Sequence, residues 1–199
     1  MMRIIWFIES VRKRILSHYN KIINHYTLKH NKVVYETLPT ISGVLKIRNQ
    51  GKFEIKRNVK FNSSIESNFV GLFKPCTIAV MPTATLIIKD NCGFSGISIF
   101  CSEHITIHEN VNCGGNVSIW DTDFHPLEYL SRRNNELETI KKEPIVIEQD
   151  VFIGANSIIL KGVTIGARSI IGAGSIVTKN VPADEIWGGN PAKFIRKTE

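Results

Sequence analysis

The sequence predicts an all-β fold, a triangular prism of short parallel strands, preceded by an amphipathic helix and interrupted by a projecting loop. From Ile147 six hexads follow one another, each opening on an aliphatic residue and carrying Ser or Val in its fifth place: IEQDVF, IGANSI, ILKGVT, IGARSI, IGAGSI and VTKNVP. An α-helix would need apolar residues about every 3.6 positions and would not tolerate so many glycines. A simple strand would alternate without a six-residue beat. A short strand followed by a turn, with three hexads per coil, fits both observations and directs the first and fifth side chains inward.

The same register recurs upstream of these hexads. It runs from Cys101 as CSEHIT, IHENVN, CGGNVS and IWDTDF, and more loosely from Ile47 as IRNQGK, FEIKRN, VKFNSS and IESNFV. Arg57 breaks the fifth-place rule in the early hexads. Because no hexad buries its face alone, the coils must stack for a core to exist. The prism is therefore expected over residues 39–186, with residues 187–199 as a C-terminal tail.

Residues 1–38 are predicted to form an amphipathic helix and a linker. Basic residues lie mostly off an apolar stripe that has the three- and four-residue spacing of a helix. The stripe occupies positions 4, 8, 11, 15, 19, 22 and 26, and the basic residues are Arg12, Lys13, Arg14 and Lys21. Packing on the first coil or on a neighbouring subunit is the favoured interpretation, and peripheral contact with a membrane surface is the alternative.

Composition narrows the class of protein. A chain of 199 residues with 43% apolar content suits one ordinary domain, and its net charge of +7 suits an anionic partner such as a nucleic acid, a membrane surface or a phosphorylated ligand. The four cysteines form no CxxC pair, which argues against a zinc site or a redox motif and for small apolar residues in a reducing compartment. The first apolar run is too short for a signal peptide or a membrane span, so a cytoplasmic protein is expected.

A polar segment interrupts the repeat. The distance from Ile119 to Ile147 is 28 residues, which is not a multiple of six, and the segment HPLEYLSRRNNELETIKKEP lacks hexad spacing. It is predicted to be a loop over residues 125–144 that projects from the rigid prism, as functional loops commonly do. The segment WDTDFHP, residues 120–126, lies at its base and brings together two carboxylates, two aromatic side chains and a histidine.

About residues 86 to 197 resemble the hexapeptide-repeat acyltransferases. The motifs are DTDFHP, the run VFIGANSIILKGVTIGARSIIGAGSIVTKNVP and the ending GGNPAKFIRK. Within that family they are similar to the sugar O-acetyltransferases, a group that includes maltose, galactoside and polysaccharide-modifying enzymes. The resemblance implies a left-handed parallel β-helix, a homotrimer, acetyl-CoA bound in a cleft between subunits, and a loop histidine as general base. It implies no metal and no nucleic-acid partner.

His125 is the histidine that matches the family's general base. An imidazole that titrates near neutrality suits removal of a proton from a sugar hydroxyl. The second ring nitrogen needs an acceptor to set the tautomer, and Asp121, Asp123, Glu128 or a loop carbonyl could serve. Some relatives place a glutamate five residues after the histidine, where this chain has Leu130.

Coenzyme A contacts are carried over from the family. The resemblance implies that the pantetheine arm lies along the last coils, where two alanines 18 residues apart should stack, and that cations meet the phosphates of the nucleotide end. The matching residues are Ala155, Ala173, Thr178, Lys179, Lys193 and Arg196. Trp187 either caps the core or touches adenine.

The acceptor residues are less closely matched. Several relatives have an acceptor-binding asparagine where this chain offers Ser95, and a serine can still hydrogen-bond a sugar hydroxyl. Trp120 and Phe124 either form an apolar platform for a sugar ring or shield the base of the loop.

Four functions fit the prism, since one fold serves many. An acetyl-CoA-dependent O-acetyltransferase that acts in surface-polysaccharide biosynthesis is favoured. Acetylation of an amine or of an antibiotic hydroxyl is the second. A hydratase of the carbonic-anhydrase type needs three histidines on a metal, and the spacing of His104, His108 and His125 provides no clear set. A non-catalytic scaffold, which would not bind coenzyme A, is the fourth.

Overall fold

A computed structural model describes the backbone of residues 2–199 and the side chains of residues 5–199. Helix α1 (Met2–His30) precedes a left-handed parallel β-helix. Three coils follow α1: β1 (Val34–Tyr35), β2 (Thr40–Gly43) and β3 (Lys46–Asn49); β4 (Lys52–Ile55), β5 (Lys60–Ser63) and β6 (Thr77–Val80); β7 (Thr85–Ile88), β8 (Gly93–Ser95) and β9 (Ser98–Cys101).

Three more coils complete the prism. They contain β10 (His104–Ile107), β11 (Asn112–Gly115) and β12 (Ser118–Trp120); β13 (Ile145–Ile147), β14 (Phe152–Ile153) and β15 (Ile158–Ile159); β16 (Thr164–Ile165), β17 (Ile170–Ile171) and β18 (Ile176–Val177). The chain ends in β19 (Glu185–Gly189) and β20 (Ala192–Lys197). The first strands of the coils form sheet A, the second strands with β19 and β20 form sheet B, and the third strands form sheet C. Neighbouring strands are parallel except β19 and β20.

The core confirms the predicted hexad register. From Ile147 to Val181 every hexad-opening residue and every fifth-place residue is at most 2% exposed. The fifth-place serines are satisfied inside the prism, because the hydroxyls of Ser157 and Ser175 donate to Gly172 O at 3.0 and 2.6 Å, and that of Ser169 donates to Pro182 O at 2.6 Å. A small residue that hydrogen-bonds to another part of the backbone therefore fits this position as well as an aliphatic one.

The last of the early hexads, IESNFV, is not part of the prism. Ile65 is 65% exposed, and residues 64–76 leave the prism as an additional loop that contains a 3₁₀ helix (Ile65–Ser67). Ser64 and Ser67 cap that helix reciprocally, which favours a turn over a strand. The loop is anchored by Leu72, which is buried beside Gly96 and Gly115; a Cβ at either glycine would lie within 3.2 Å of Leu72 Cδ2.

Helix α1 is attached to the prism through its last turns. Leu28 is fully buried, and the side chain of Asn24 donates to Gly43 O at 2.9 Å and accepts from Leu45 N at 3.0 Å. The described stripe residues, from Ile8 to Tyr26, are exposed, so the expectation that the stripe packs on the first coil is wrong. The docking face of α1 lies on the other side of the helix. Ile4, the first stripe position, lies outside the described side chains. No helix among the described residues is long and apolar enough to span a bilayer.

The C-terminal segment does not begin as a tail at residue 187. Trp187 lies within β19 and pairs with Ile171, so the sheet continues to Gly189 before β20 folds back on it. Trp187 packs against the core, and its Nε1–H donates to Glu185 Oε2 at 2.7 Å. This arrangement agrees with a cap on the core.

The predicted loop begins earlier than expected, at residue 121 rather than 125. Strand β12 ends at Trp120 and β13 begins at Ile145; between them lie α2 (Tyr129–Arg133) and a 3₁₀ helix (Leu137–Thr139). The buried Asp121 binds the preceding coil through its side chain, which ends the strand pattern before the hexad IWDTDF is complete. An antiparallel bridge between Thr122 and Lys142 closes the base of the loop.

Candidate active site

A tight turn presents His125 at the base of the 121–144 loop. His125 N–H donates to Asp123 O at 2.7 Å, and Phe124 between them has a φ of 61°. This combination has the features of a classic γ-turn, a rare and strained conformation for a residue other than glycine. The Phe124 ring holds the turn in place, because it stacks edge-on at 4.8 Å from the Phe100 ring and 5.6 Å from the Trp120 ring. His125 is exposed beyond this aromatic cluster.

Asp121 has a structural role that the sequence did not reveal. It is fully buried, with Oδ1 accepting from Ser102 N at 2.6 Å and Oδ2 accepting from Glu103 N at 2.8 Å and His104 N at 3.0 Å. Its carboxylate thus satisfies three backbone N–H groups in the turn of the preceding coil. These bonds engage both carboxylate oxygens with the backbone of the preceding coil, and none of them involves His125, so an orienting role of Asp121 stays a prediction.

Glu128 is also engaged elsewhere. It is the N-cap residue of α2, and its carboxylate accepts from Ser131 N at 2.7 Å. Backbone hydrogen bonds from Ser131 and Leu130 lower the pKa of this carboxyl below its usual value. Since this carboxylate binds the first turn of α2, the structure does not support Glu128 as the partner of His125.

Asp123 is the remaining candidate. Its Oδ1 forms an ion pair with Lys161 Nζ at 2.8 Å, and its Oδ2 is buried without a hydrogen-bond partner among the described residues. A buried carboxylate oxygen without a donor is costly, so it normally indicates a missing partner. Lys161 was not predicted. It follows β15, the strand paired with β12, and no signal in its hexad distinguishes it from a surface lysine.

The two predicted coenzyme-contacting alanines stack as expected. Strands β14 and β17 pair with an offset of 18 residues, and Gly174 N donates to Ala155 O at 2.8 Å in continuation of that ladder. A Cβ on Gly114 would lie 2.7 Å from Ala155 N, and one on Gly154 would similarly crowd Ala173 N. The absence of side chains at these glycines therefore lets successive coils stack closely at this corner. Contact with coenzyme A stays a prediction.

The residues predicted to meet the nucleotide end of coenzyme A, one threonine and three cations, are divided between two sheets. Thr178 and Lys179 follow β18 of sheet C, whereas Lys193 and Arg196 lie on β20 at the edge of sheet B. All four side chains are exposed. The Arg196 guanidinium donates to Lys197 O at 2.8 Å. The three cations of one chain are therefore not grouped on a single strand.

The predicted acceptor residues also separate. Trp120 and Phe124 line a groove of about 450 Å³ on the outer face of sheet C, and Phe100, which was not predicted, completes its aromatic end. Ser95 instead belongs to sheet B, where it is buried and its Oγ accepts from the amides of Asn62 at 3.0 Å and Asn68 at 3.1 Å. The structure therefore brings together only the two aromatic members of the set.

The other two histidines of the coils have local partners. His104 Nε2 lies 2.8 Å from Thr106 Oγ1, and His108 Nδ1 lies 3.1 Å from Lys89 Nζ. Burial, and then the charge of Lys89, lower the pKa of His108. In the part of the chain that the structure describes, no three His, Cys, Asp or Glu side chains are grouped to hold a metal ion.

Comparison with known proteins identifies the repeat. Residues 144–179 match the family described as the hexapeptide repeat of succinyl-transferase. This part of the chain therefore consists of hexapeptide repeats. The resemblance of the chain to the hexapeptide-repeat acyltransferases is confirmed by relatives and by a solved structure.

The galactoside O-acetyltransferase of Escherichia coli is 42% identical over 93 residues, which are 47% of this hexapeptide-repeat chain and 44% of the relative. A 2,3,4,5-tetrahydropyridine-2,6-dicarboxylate N-acetyltransferase of Clostridium perfringens is 49% identical over 63 residues, 32% of this chain and 27% of that protein. The chain thus spans less than half the length of these curated relatives.

A solved structure extends the similarity to the fold. It is a hexapeptide-repeat-containing acetyltransferase of Vibrio cholerae complexed with acetyl coenzyme A, which is 36% identical with a TM-score of 0.52. The superposition covers 57% of this hexapeptide-repeat chain and 61% of the Vibrio chain.

Proposed function

We propose that this protein transfers the acetyl group of acetyl-CoA to a sugar hydroxyl, in surface-polysaccharide biosynthesis, with His125 as the general base. The presentation of His125 supports this proposal most strongly: a strained turn, held by edge-to-face contacts of three aromatic rings, exposes the imidazole beside a groove with an aromatic end. Strained backbone residues are found preferentially at functional sites. The acetyltransferases among the relatives support the reaction class.

His125 would perform one proton transfer. Acetyl-CoA supplies an acyl group activated as a thioester. As the hydroxyl oxygen forms its bond to the acetyl carbon, the imidazole takes the hydroxyl proton, and it returns that proton to the sulfur when the carbon–sulfur bond breaks. No acetyl-enzyme forms in this direct attack. The aromatic cluster shields one side of the site from water and offers a flat apolar surface to a sugar ring.

Asp123 would position the imidazole. Of the three acidic residues near His125, it alone keeps a buried carboxylate oxygen without a partner, and it lies two residues away across the γ-turn. Accepting a hydrogen bond from one ring N–H would direct the lone pair of the other ring nitrogen toward the acceptor. The ion pair with Lys161 would keep the carboxylate in place, since it ties the base of the loop to the next coil.

Acetyl-CoA would bind along the corner formed by Ala155 and Ala173. The phosphates would meet the exposed cations after β18 and on β20. Because these cations belong to two sheets, a cleft between neighbouring copies is the arrangement that supplies both sets to one molecule, and we propose a homotrimer on that basis. We also propose a cytoplasmic location, since the four cysteines are buried free thiols.

An amine acceptor is the second candidate. The N-acetyltransferase of Clostridium perfringens supports it, and an exposed general base beside an open groove would serve an amine as well as a hydroxyl. An acceptor screen with sugars and amines, followed by detection of the released thiol, separates the two functions.

The test of the mechanism is a pair of histidine variants. His125→Ala should lower kcat by about 10² to 10⁴, with acetyl-CoA affinity nearly unchanged, and His125→Asn should be almost as slow because an amide cannot take up the proton. His104→Ala is the matched control, since its Nε2 forms a hydrogen bond with Thr106 Oγ1 in the same strand, and it should keep near-normal turnover. Normal turnover in His125→Ala would refute the mechanism. An absence of coenzyme A binding by calorimetry would favour a non-catalytic scaffold.

A further inference from the structure

The apolar stripe of α1 faces away from the prism. The six described stripe residues are between 40% and 67% exposed: Ile8, Val11, Ile15, Tyr19, Ile22 and Tyr26. On a helical wheel drawn at 100° per residue, these six side chains point on average about 160° away from Asn24 and Leu28. Asn24 and Leu28 attach α1 to the prism. The prism therefore cannot cover the stripe while α1 stays docked, and the stripe needs another partner.

The spacing of the stripe favours a flat partner. Ile8 and Tyr19, Val11 and Ile22, and Ile15 and Tyr26 are each 11 residues apart. Eleven residues make about three turns at 3.67 residues per turn, close to the natural 3.6, so the stripe runs nearly straight along an unstrained helix. A left-handed coiled coil with a second copy would need a 3.5-residue period. The stripe thus fits a plane better than it fits another helix.

The charges beside the stripe favour an anionic plane. Between Ile5 and His30, α1 carries five Lys and Arg residues and one acidic residue, Glu9. Arg12 borders one edge of the stripe on the helical wheel, and Arg14 lies about 60° beyond the other edge. Both are exposed, so their heads could meet phosphate groups at the level where the apolar side chains enter the acyl region. Phe7, which is 67% exposed, extends the apolar surface toward the N-terminal end.

We propose that α1 is an interfacial helix that holds this protein on an anionic phospholipid membrane, with the apolar stripe inserted and Arg12 and Arg14 against the headgroups. The C-terminal turns of α1 stay attached to the first coil through Asn24, so the prism is carried on the membrane by its N-terminal end. This inference does not depend on the acetyltransferase proposal.

The experiment is co-sedimentation of the full chain with vesicles of phosphatidylcholine alone or mixed with phosphatidylglycerol. Ile15→Glu places a charge in the stripe, and Ser17→Glu places the same charge at an exposed position on the other side of the helix. The wild type and Ser17→Glu should bind the anionic vesicles with affinities within about threefold of each other, while Ile15→Glu should lose at least about tenfold. Phosphatidylcholine alone should bind more weakly than the mixture, because headgroup charge contributes.

Several outcomes would overturn the proposal. The wild type could fail to bind anionic vesicles, or both glutamate variants could lose binding equally, which would indicate net charge rather than the stripe. Light scattering tests a further outcome. If Ile15→Glu dissociates the oligomer but still binds vesicles, the stripe packs against a second copy of the chain. Activity toward a soluble acceptor should be unchanged in Ile15→Glu, so a loss of membrane binding is distinguishable from a failure of catalysis.

Discussion

The substitution Asp121→Asn tests whether Asp121 stabilises the base of the loop or takes part in catalysis. Asp121 accepts three backbone hydrogen bonds, one through Oδ1 and two through Oδ2. Asparagine keeps the volume but has a single acceptor oxygen. Its best orientation keeps the two bonds at the Oδ2 site and turns the amide NH₂ toward Ser102 N–H, which lies 2.6 Å from the present Oδ1.

The cost follows from that geometry. Two charge-assisted bonds become neutral, which loses about 1 kcal/mol each, and one buried N–H loses its acceptor, which costs about 1 to 3 kcal/mol. Asp121→Asn should therefore lower the free energy of unfolding by about 3 to 5 kcal/mol. For a chain of this length, that loss corresponds to a fall in Tm of roughly 6 to 20 °C. Circular dichroism at a fixed protein concentration measures it, since association also shifts Tm.

Asp123→Asn is the matched control. It weakens an ion pair whose two side chains are largely buried, but the amide oxygen can still accept from Lys161, so the loss of stability should be about 1 to 2 kcal/mol, below that of Asp121→Asn. The kcat should fall because the imidazole loses the carboxylate proposed to orient it. The reasoning would be refuted if Asp121→Asn kept the Tm of the wild type within about 2 °C and lowered kcat more than Asp123→Asn did. That result would assign the orientation of His125 to Asp121.

The remaining predictions concern the loop anchor, the coenzyme site and the cysteines. Lys161→Met should lower kcat with little change in the acetyl-CoA KM, and adding Asp123→Asn should cost less than the sum of the single changes, as a double-mutant cycle would show. Replacing Lys179, Lys193 or Arg196 by alanine should raise the KM for acetyl-CoA only about twofold to fivefold, because solvent screens the interactions of exposed charges. An unchanged KM in all three variants would remove these residues from the coenzyme A site. All four cysteines are buried, and burial raises the pKa of Cys92 to about 12, so an aromatic disulfide reagent at pH 8 should label no thiol in the native protein and four after unfolding. Rapid labelling of one native thiol would contradict the buried placement.

The sequence was sufficient for features that repeat locally. The hexads after Ile147 specify which side chains face inward, because each short strand and turn has the same relation to its neighbours, and the structure buries those positions as predicted. The position of His125 at the base of a loop was also predictable, since the break in the six-residue register is visible in the chain. The early hexads were less regular, and there the prediction failed at Ile65.

Other features depend on how distant segments meet. Asp121 binds residues 17 to 19 positions earlier, in the preceding coil, and Asp123 pairs with Lys161 in the following one. A carboxylate in DTDFHP could equally have faced the histidine, and only the stacking register of the coils decides which N–H groups or cations it reaches. The same holds for α1: its pattern specifies an apolar stripe, but the attachment of Asn24 and Leu28 to the first coil decides that the stripe points outward. Local periodicity determines which side of an element is apolar, whereas the partner of each side is set by contacts that form only when the chain has folded.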